Sequence, residues 1–181
     1  MKRINKTKYS ILGALSFESM SGYDIKSWLK NVTGSFWSES DGQIYPTLAQ
    51  LLQDKLVKCI EKNTDGGRLR KVYSITKQGL FVLKQWLVTP PQETTARLEF
   101  MLKLFYGKNL SQERYIAHIQ QQQVSSEEKL KFYLTKQKHI QEEHSNIDAF
   151  YWLQTLRRAI YHTKADIAWC KDTLSSITPK R

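Results

Sequence analysis

Cysteine is nearly absent from this chain: Cys59 and Cys170 are the only two in 181 residues. They lie far apart and neither sits in a CxxC or Cys/His cluster, which argues against a disulfide framework and a zinc site. Two small buried apolar side chains is the plainer reading. Proline is also scarce, at four, and 40% of the residues are apolar, so the chain can bury a real core and wholesale disorder is not expected. No apolar run approaches the roughly 18 residues of a membrane span, and no signal peptide opens the chain, so a cytoplasmic protein without a membrane partner is expected. The four histidines, His118, His139, His144 and His162, show no HExxH or other ligand spacing, and GxSxG, P-loop and GxGxxG motifs are missing. Catalysis, a metal and a cofactor are all unexpected.

What the sequence does have is positive charge. The formal net charge is +11, which calls for an anionic partner without choosing among DNA, RNA and an acidic membrane surface. Residues 1–88 hold 14 Lys and Arg against 7 Asp and Glu, whereas residues 89–181 hold 14 against 10. The first half is the better candidate for touching a polyanion.

Periodicity then orders the first half. A helix is predicted over Thr7–Phe17, with Ile11, Leu12 and Leu15 on one face. Ser21 with Asp24 forms a capping-box pattern before Ile25, Trp28, Leu29 and Val32, and Gly34 supplies a stop. A third helix is predicted from near Ser40, with Gln43 in capping-box position and Ile44, Leu48, Leu51 and Leu52 as its buried stripe. Pro46 is awkward there, because past the first turn it removes a backbone hydrogen bond; a kink or a later start is expected. After Leu56 the pattern turns extended. "LVKCIE" and "LRKVYSIT" flank "NTDGG", where Asp65-Gly66 suits a tight hairpin. Thr76 then caps a helix carrying Leu80, Leu83 and Leu87, ended by Pro90-Pro91. Helix, helix, helix, hairpin, helix is the order of a winged helix-turn-helix.

In that motif the second helix of the pair enters the major groove. At about 100° per residue the third helix puts Leu48 inward and Gln43, Pro46, Thr47, Gln50 and Gln53 outward. Gln suits adenine N6/N7, and Thr can bond a base or touch a thymine methyl. Tyr45 projects beside the core stripe, open to packing or to a phosphate contact through its hydroxyl. Arg68, Arg70 and Lys71 cluster at the hairpin tip, as a wing gripping phosphate or minor groove needs. Lys2, Arg3, Lys6 and Lys8 form a basic arm before the first helix.

Past "TPPQETT" the chain reads as helical throughout, giving three expected segments: a DNA-binding domain over 1–89, a linker at 90–95 and a helical domain over 96–181. A short amphipathic helix carries Leu98, Met101, Leu102 and Phe105 and stops at Gly107. Ser111 caps a longer, polar one, with a break possible near Ser125-Ser126. The last helix is the most regular element, with Ala149, Leu153, Leu156, Ile160, Thr163, Ile167, Cys170, Leu174 and Ile177 alternating spacings of four and three. This heptad seam suits an intrachain helix pair as well as a dimer. The dimer is the preferred expectation, with Leu153, Leu156, Ile160, Ile167, Leu174 and Ile177 at the interface. The fold class is thus mostly α with one β-hairpin, a winged helix-turn-helix joined to a coiled-coil-like dimerisation domain.

"YSILGALSFESMSGYDIKSWL", "FWSESDGQIYPTLAQLLQDKLV" and "RKVYSITKQG" resemble the PadR family of bacterial regulators, with "SGYDI" and "GQIYPTL" as the specific signature. The later "EFMLKLFYG" and "YWLQTLRRAIYHTKADIAWC" resemble the longer subfamily that includes phenolic-acid-responsive repressors and a virulence activator. The resemblance implies a dimeric regulator bound to double-stranded DNA at a pseudo-palindromic operator, usually a repressor, often released by a small aromatic ligand. The C-terminal half is rich in rings, so an effector such as a phenolic acid is expected there, its ring on Tyr151 or Trp152 and its carboxylate on Arg158 or His162. A ligand-independent activator and a helical adaptor that binds no DNA are the alternatives.

Overall fold

A computed structural model of the protein describes residues 5–34, 36–37, 39–63, 69–92, 97–143 and 147–177. The chain divides into two compact units, Met1–Glu93 and Thr94–Arg181. The first contains α1 (Lys6–Leu15), β1 (Met20–Ser21), α2 (Gly22–Val32), α3 (Asp41–Gln53), β2 (Val57–Asn63), β3 (Leu69–Ile75) and α4 (Lys77–Leu87). This is the winged-helix order with one addition. β1 pairs antiparallel with β3, Met20 opposite Tyr73 and Ser21 opposite Val72, so the hairpin is part of a three-stranded sheet of order β1-β3-β2. Two residues are too short to show a strand period, so β1 left no pattern to read.

Local chemistry explains the helix starts. At α2 the Ser21 hydroxyl accepts from Asp24 N and the Asp24 carboxylate accepts from Ser21 N, closing the capping box. Thr76 caps α4 by accepting from Gly79 N at 3.0 Å. α1 is capped by Asn5, whose side chain accepts from Lys8 N, so it starts earlier than expected, and it ends at Leu15 with Ser16 as its C-cap. α3 starts at Asp41, next to Ser40 as expected, and not later on account of Pro46, which lies inside it; Ser40 makes no side-chain capping bond. Ile44, Leu48 and Leu51 are almost wholly buried. Burying three such side chains, at about 1.5–3 kcal/mol each, outweighs the roughly 3 kcal/mol of an interior proline. Leu52, expected in that stripe, is exposed. One core joins Ile11, Leu12 and Leu15 of α1 to Ile25 and Leu29 of α2, the α3 stripe and Leu83 of α4.

The second unit contains α5 (Glu99–Phe105), a 3₁₀ turn (Gly107–Asn109), α6 (Gln112–Glu143) and α7 (Ile147–Ile177). α6 does not break at Ser125-Ser126; Ser126 is buried and accepts from Gln122 Nε2 at 3.4 Å. α6 and α7 pack as an antiparallel hairpin, with Gln112 Nε2 near the start of one helix 3.5 Å from the Ile177 carbonyl at the end of the other. Ala149, Leu156, Ile160, Thr163 and Cys170 are buried in the chain, and Leu153, Ile167, Leu174 and Ile177 are half-buried. Leu156 and Ile160 are thus turned into the chain's own helix pair and corrected as interface positions, whereas the half-buried Leu153, Ile167, Leu174 and Ile177 stay expected interface residues. A 3.5-residue repeat serves any long helix pair, whichever chain supplies the partner. Cys170 packs with Leu104 and Ile119, and burial, with Asp166 and Glu127 nearby, pushes its thiol up from the usual range.

Candidate nucleic-acid interface

The outer face of α3 presents less than the helical projection suggested. Gln43, Tyr45, Pro46 and Gln50 are exposed, as expected of a reading face. Thr47 is buried at 7% exposure, three residues after Ile44 and four before Leu51, so it belongs to the core stripe. Its place among outward base readers is withdrawn, because i+3 and i+4 share the inner face. The Gln50 amide donates to Asp54 Oδ1 at 2.8 Å, leaving its carbonyl oxygen to a ligand. The Tyr45 ring lies over Gly22 at the start of α2, so closely that a Cβ at Gly22 would stand 2.7 Å from it. A larger residue there would push the Tyr45 ring aside. Tyr23, next along, is 69% exposed. It was not among the expected residues, although "SGYDI" contains it.

The wing is tied to the helix pair by its arginine. Arg70 Nη2, on β3, donates to Asp24 Oδ1 at 2.5 Å and to Ser21 Oγ at 2.9 Å. Asp24 thus serves the α2 cap and the wing together. Partial burial pulls its pKa upward, but hydrogen bonds from Ser21 and the Arg70 charge outweigh that and hold the carboxyl below its usual range. Lys71 is exposed, whereas Arg68 and the Asp65-Gly66 turn lie outside the described residues. Lys2 and Arg3 lie outside them too, and Lys6 and Lys8 are half-buried residues of α1 and not part of an arm.

A cavity of about 680 Å³ opens in the same unit, lined by Tyr9, Phe17, Trp28, Phe36, Trp37 and Trp86 among others, with Lys6 the one charged residue among the described lining. Tyr9 and Trp86 stack at 4.5 Å and 7°, and Phe17 and Trp28 lie 5.4 Å apart. The Lys6 ammonium stands 5.8 Å from the Trp37 ring centre. That volume falls within the about 300–1,000 Å³ of small-molecule sites.

Comparison with known proteins places this arrangement. Residues 11–85 match the Transcriptional regulator PadR-like family, and residues 96–178 match the Virulence activator alpha C-term domain. The Negative transcriptional regulator PadR of Bacillus subtilis is 38% identical over 108 residues, 59% of this chain and 59% of that protein. The chain thus spans somewhat more than half the length of this curated relative in the match. The crystal structure of Bacillus subtilis PadR with operator DNA is similar at a TM-score of 0.85 and 30% identity, over 94% of this chain and 98% of that one. Its complex with p-coumaric acid is similar at 0.77 and 30%, over 94% and 97%. The chain belongs to the PadR-like family of transcriptional regulators.

The PadR-like family is one of regulators and not of enzymes, in keeping with the missing catalytic motifs. Within this PadR-like chain, Gln43, Tyr45 and Gln50 share α3, and Arg70 and Lys71 share β3. Tyr151, Arg158 and His162 are exposed along one face of α7, while Trp152 is half-buried. The aromatic cavity lies elsewhere, in the winged unit. Sequence reading missed it because Trp28 was assigned to a helix core and Tyr9, Trp37 and Trp86 come from separate segments. Three of the five tryptophans falling in the first half was the available signal.

Proposed function

We propose that this chain is a homodimeric transcriptional repressor that binds a pseudo-palindromic operator and is released from it by a small aromatic carboxylate. The observation that carries the reading is the likeness, over 94% of the chain, to Bacillus subtilis PadR bound to operator DNA. Gln43 and Gln50 then read base edges from the major groove, and Tyr45 and Tyr23 reach phosphate through their hydroxyls. Lys71, with Arg68, holds the backbone beside the wing. The two-fold pairing would set the recognition helices about 34 Å apart, one turn of B-DNA. The exposed Leu102, Phe105, Tyr161 and Trp169 of the helical unit supply apolar surface for that pairing. The protein works in the cytoplasm.

The effector reading is supported by the relative crystallised with p-coumaric acid. The cavity of the winged unit suits such a molecule better than the Tyr151, Trp152, Arg158 and His162 set, because it offers a ring aromatic walls in a concave site and the exposed α7 face does not. Lys6 is the partner for the carboxylate.

Anisotropy with duplex DNA from upstream of the chain's own gene, against scrambled duplex and across a salt series, tests the proposal. A preference for one duplex, a steep salt slope and loss of binding with p-coumarate are expected. Equal affinity for both duplexes would remove the operator, and no affinity at all would favour an adaptor. The match to the Virulence activator alpha C-term domain favours a second reading, an activator. Deleting the gene separates the two: target transcripts rise for a repressor and fall for an activator.

A further inference from the structure

Three side-chain donors converge on a single carboxylate just ahead of the recognition helix. From α1, Thr7 Oγ1 donates to Glu39 Oε2 at 2.7 Å and Ser10 Oγ to Glu39 Oε1 at 2.9 Å. The third donor is the Trp37 indole, whose Nε1 lies 2.5 Å from Glu39 Oε1. Glu39 stands two residues before the first residue of α3, and the Thr7 hydroxyl is 3.4 Å from Gln43 Oε1 inside it. The entry of α3 is thereby pinned to α1 through charge-assisted bonds, the stronger kind of hydrogen bond. The same Trp37 ring is a wall of the aromatic cavity, with Lys6 beside it, and Ser10 lines the cavity as well. Trp37's backbone is held separately, its N donating to the Thr33 carbonyl at 2.8 Å. Its side chain can therefore change partners while its backbone stays.

We propose that Glu39 is a positioning residue that seats the recognition helix, and that Trp37 couples this clamp to occupancy of the cavity. The proposal rests on the reading of the cavity as an effector site and supplies its route to DNA. A planar aromatic acid entering the cavity takes Lys6 for its carboxylate and packs against Trp37, turning the indole N–H away from Glu39. The carboxylate loses one of its three donors, and the tie between α1 and the entry of α3 loosens. A ligand shifts an equilibrium only through contacts that differ between the two states. Trp37 is such a contact, because one side chain touches both the ligand space and the tether.

The test uses the full chain, with p-coumarate as the probe. Calorimetry gives its affinity and anisotropy gives operator affinity with and without it. In the parent, p-coumarate should weaken operator binding within the about 5- to 150-fold range of ordinary allosteric coupling. Trp37→Phe keeps a ring and removes the N–H; it should bind p-coumarate within about threefold of the parent while its release factor falls to about twofold or less. Glu39→Ala should bind the operator more weakly without ligand and also lose the release. Glu39→Gln, which keeps an acceptor for the indole, should restore most of both, which a residue serving only stability would not do. A Trp37→Phe or Glu39→Ala protein with the parent's release factor overturns the proposal. Should Glu39→Ala not fold, Trp37→Phe and Glu39→Gln decide it. A parent that neither binds p-coumarate nor leaves the operator overturns the effector reading and the relay with it. That result differs from a parent that is released and a Trp37→Phe variant released just as well, which sinks the relay alone.

Discussion

The two units of this chain bury their apolar residues in different ways. The winged unit gathers Ile11, Leu12, Ile25, Ile44, Leu48, Leu51 and Leu83, from four helices, into one core. The helical unit buries Leu104, Ile119 and Cys170 in one cluster, with Phe100, Tyr115, Leu174 and Ile177 partly buried around it, and Ala149, Leu156 and Ile160 elsewhere along α7. Leu102, Phe105, Phe132, Phe150, Tyr161 and Trp169 stay exposed there. Four helices and a sheet can enclose a volume, whereas two long helices share one seam and leave their other faces uncovered. Both units leave large apolar side chains at the surface, Phe81, Leu87 and Val88 among those of the first, so the difference lies in how each core is built: a single enclosed cluster in the first unit and a long two-helix seam in the second.

The largest effect should come from emptying the first core. Leu48→Ala, at a site 1% exposed, should remove about 2–5 kcal/mol of stability and with it operator binding. Leu156→Ala, at 8% exposure in the two-helix seam, should fall at the low end of that range, since a hairpin relaxes into a cavity more easily. Urea unfolding of both variants checks the order, and the comparison breaks if the seam substitution is the costlier one.

Surface substitutions in the second unit should change assembly without melting the first. If the proposed dimer pairs through this surface, Phe105→Ser with Tyr161→Ser, at sites 81% and 61% exposed, should halve the mass seen by light scattering and leave the winged unit's far-UV signal in place. A doubly substituted chain that stays dimeric would move the interface to another face.

Two neighbouring basic residues of the wing should then behave differently. Lys71→Ala should flatten the salt slope of DNA binding by about one unit, as loss of one phosphate contact does. Arg70 is committed to Asp24 and Ser21, so Arg70→Ala should weaken operator and random duplex alike by loosening the wing, with a smaller change of slope. Equal slope changes for the two would mean that Arg70 leaves Asp24 for phosphate.

The smallest effect concerns pH. Asp24 has its carboxyl pKa lowered in the folded chain, so its contribution is present above the ordinary carboxylate range and is lost as pH falls through the lowered value, below about pH 4. The Arg70–Asp24 pair is 43% exposed on both sides, which limits the effect to about 1 kcal/mol or less. Asp24→Asn should flatten the acid limb of a stability–pH curve, and an unchanged limb would assign it to other carboxylates.

Much of the winged unit was legible because its signals are local. The Ser21–Asp24 capping box, the Thr76 cap and the aliphatic stripes of α2 and α4 each lie within one or two helical turns. The errors on α3 have a common cause. Thr47 is polar, and a polar residue next to Leu48 invites an outward assignment, yet at i+3 from Ile44 it shares the inner face. The interface was only partly legible, because Arg70 looks like a free cation until the sheet register brings it to Asp24, 46 residues earlier.

By itself the sequence determined the order of the helices and the hairpin, the family signature and the positive charge, since capping, periodicity and composition act over a few residues or need no geometry at all. Only the tertiary structure decided which partner each long-range group meets. It turned Leu156 and Ile160 of α7 into the chain's own helix pair and drew Tyr9, Trp28, Trp37 and Trp86 from separate segments around one cavity. It also brought Thr7, Ser10 and Trp37 onto Glu39. Such meetings depend on how helices pack, and a side chain's chemistry says what it can bond, not what will be beside it.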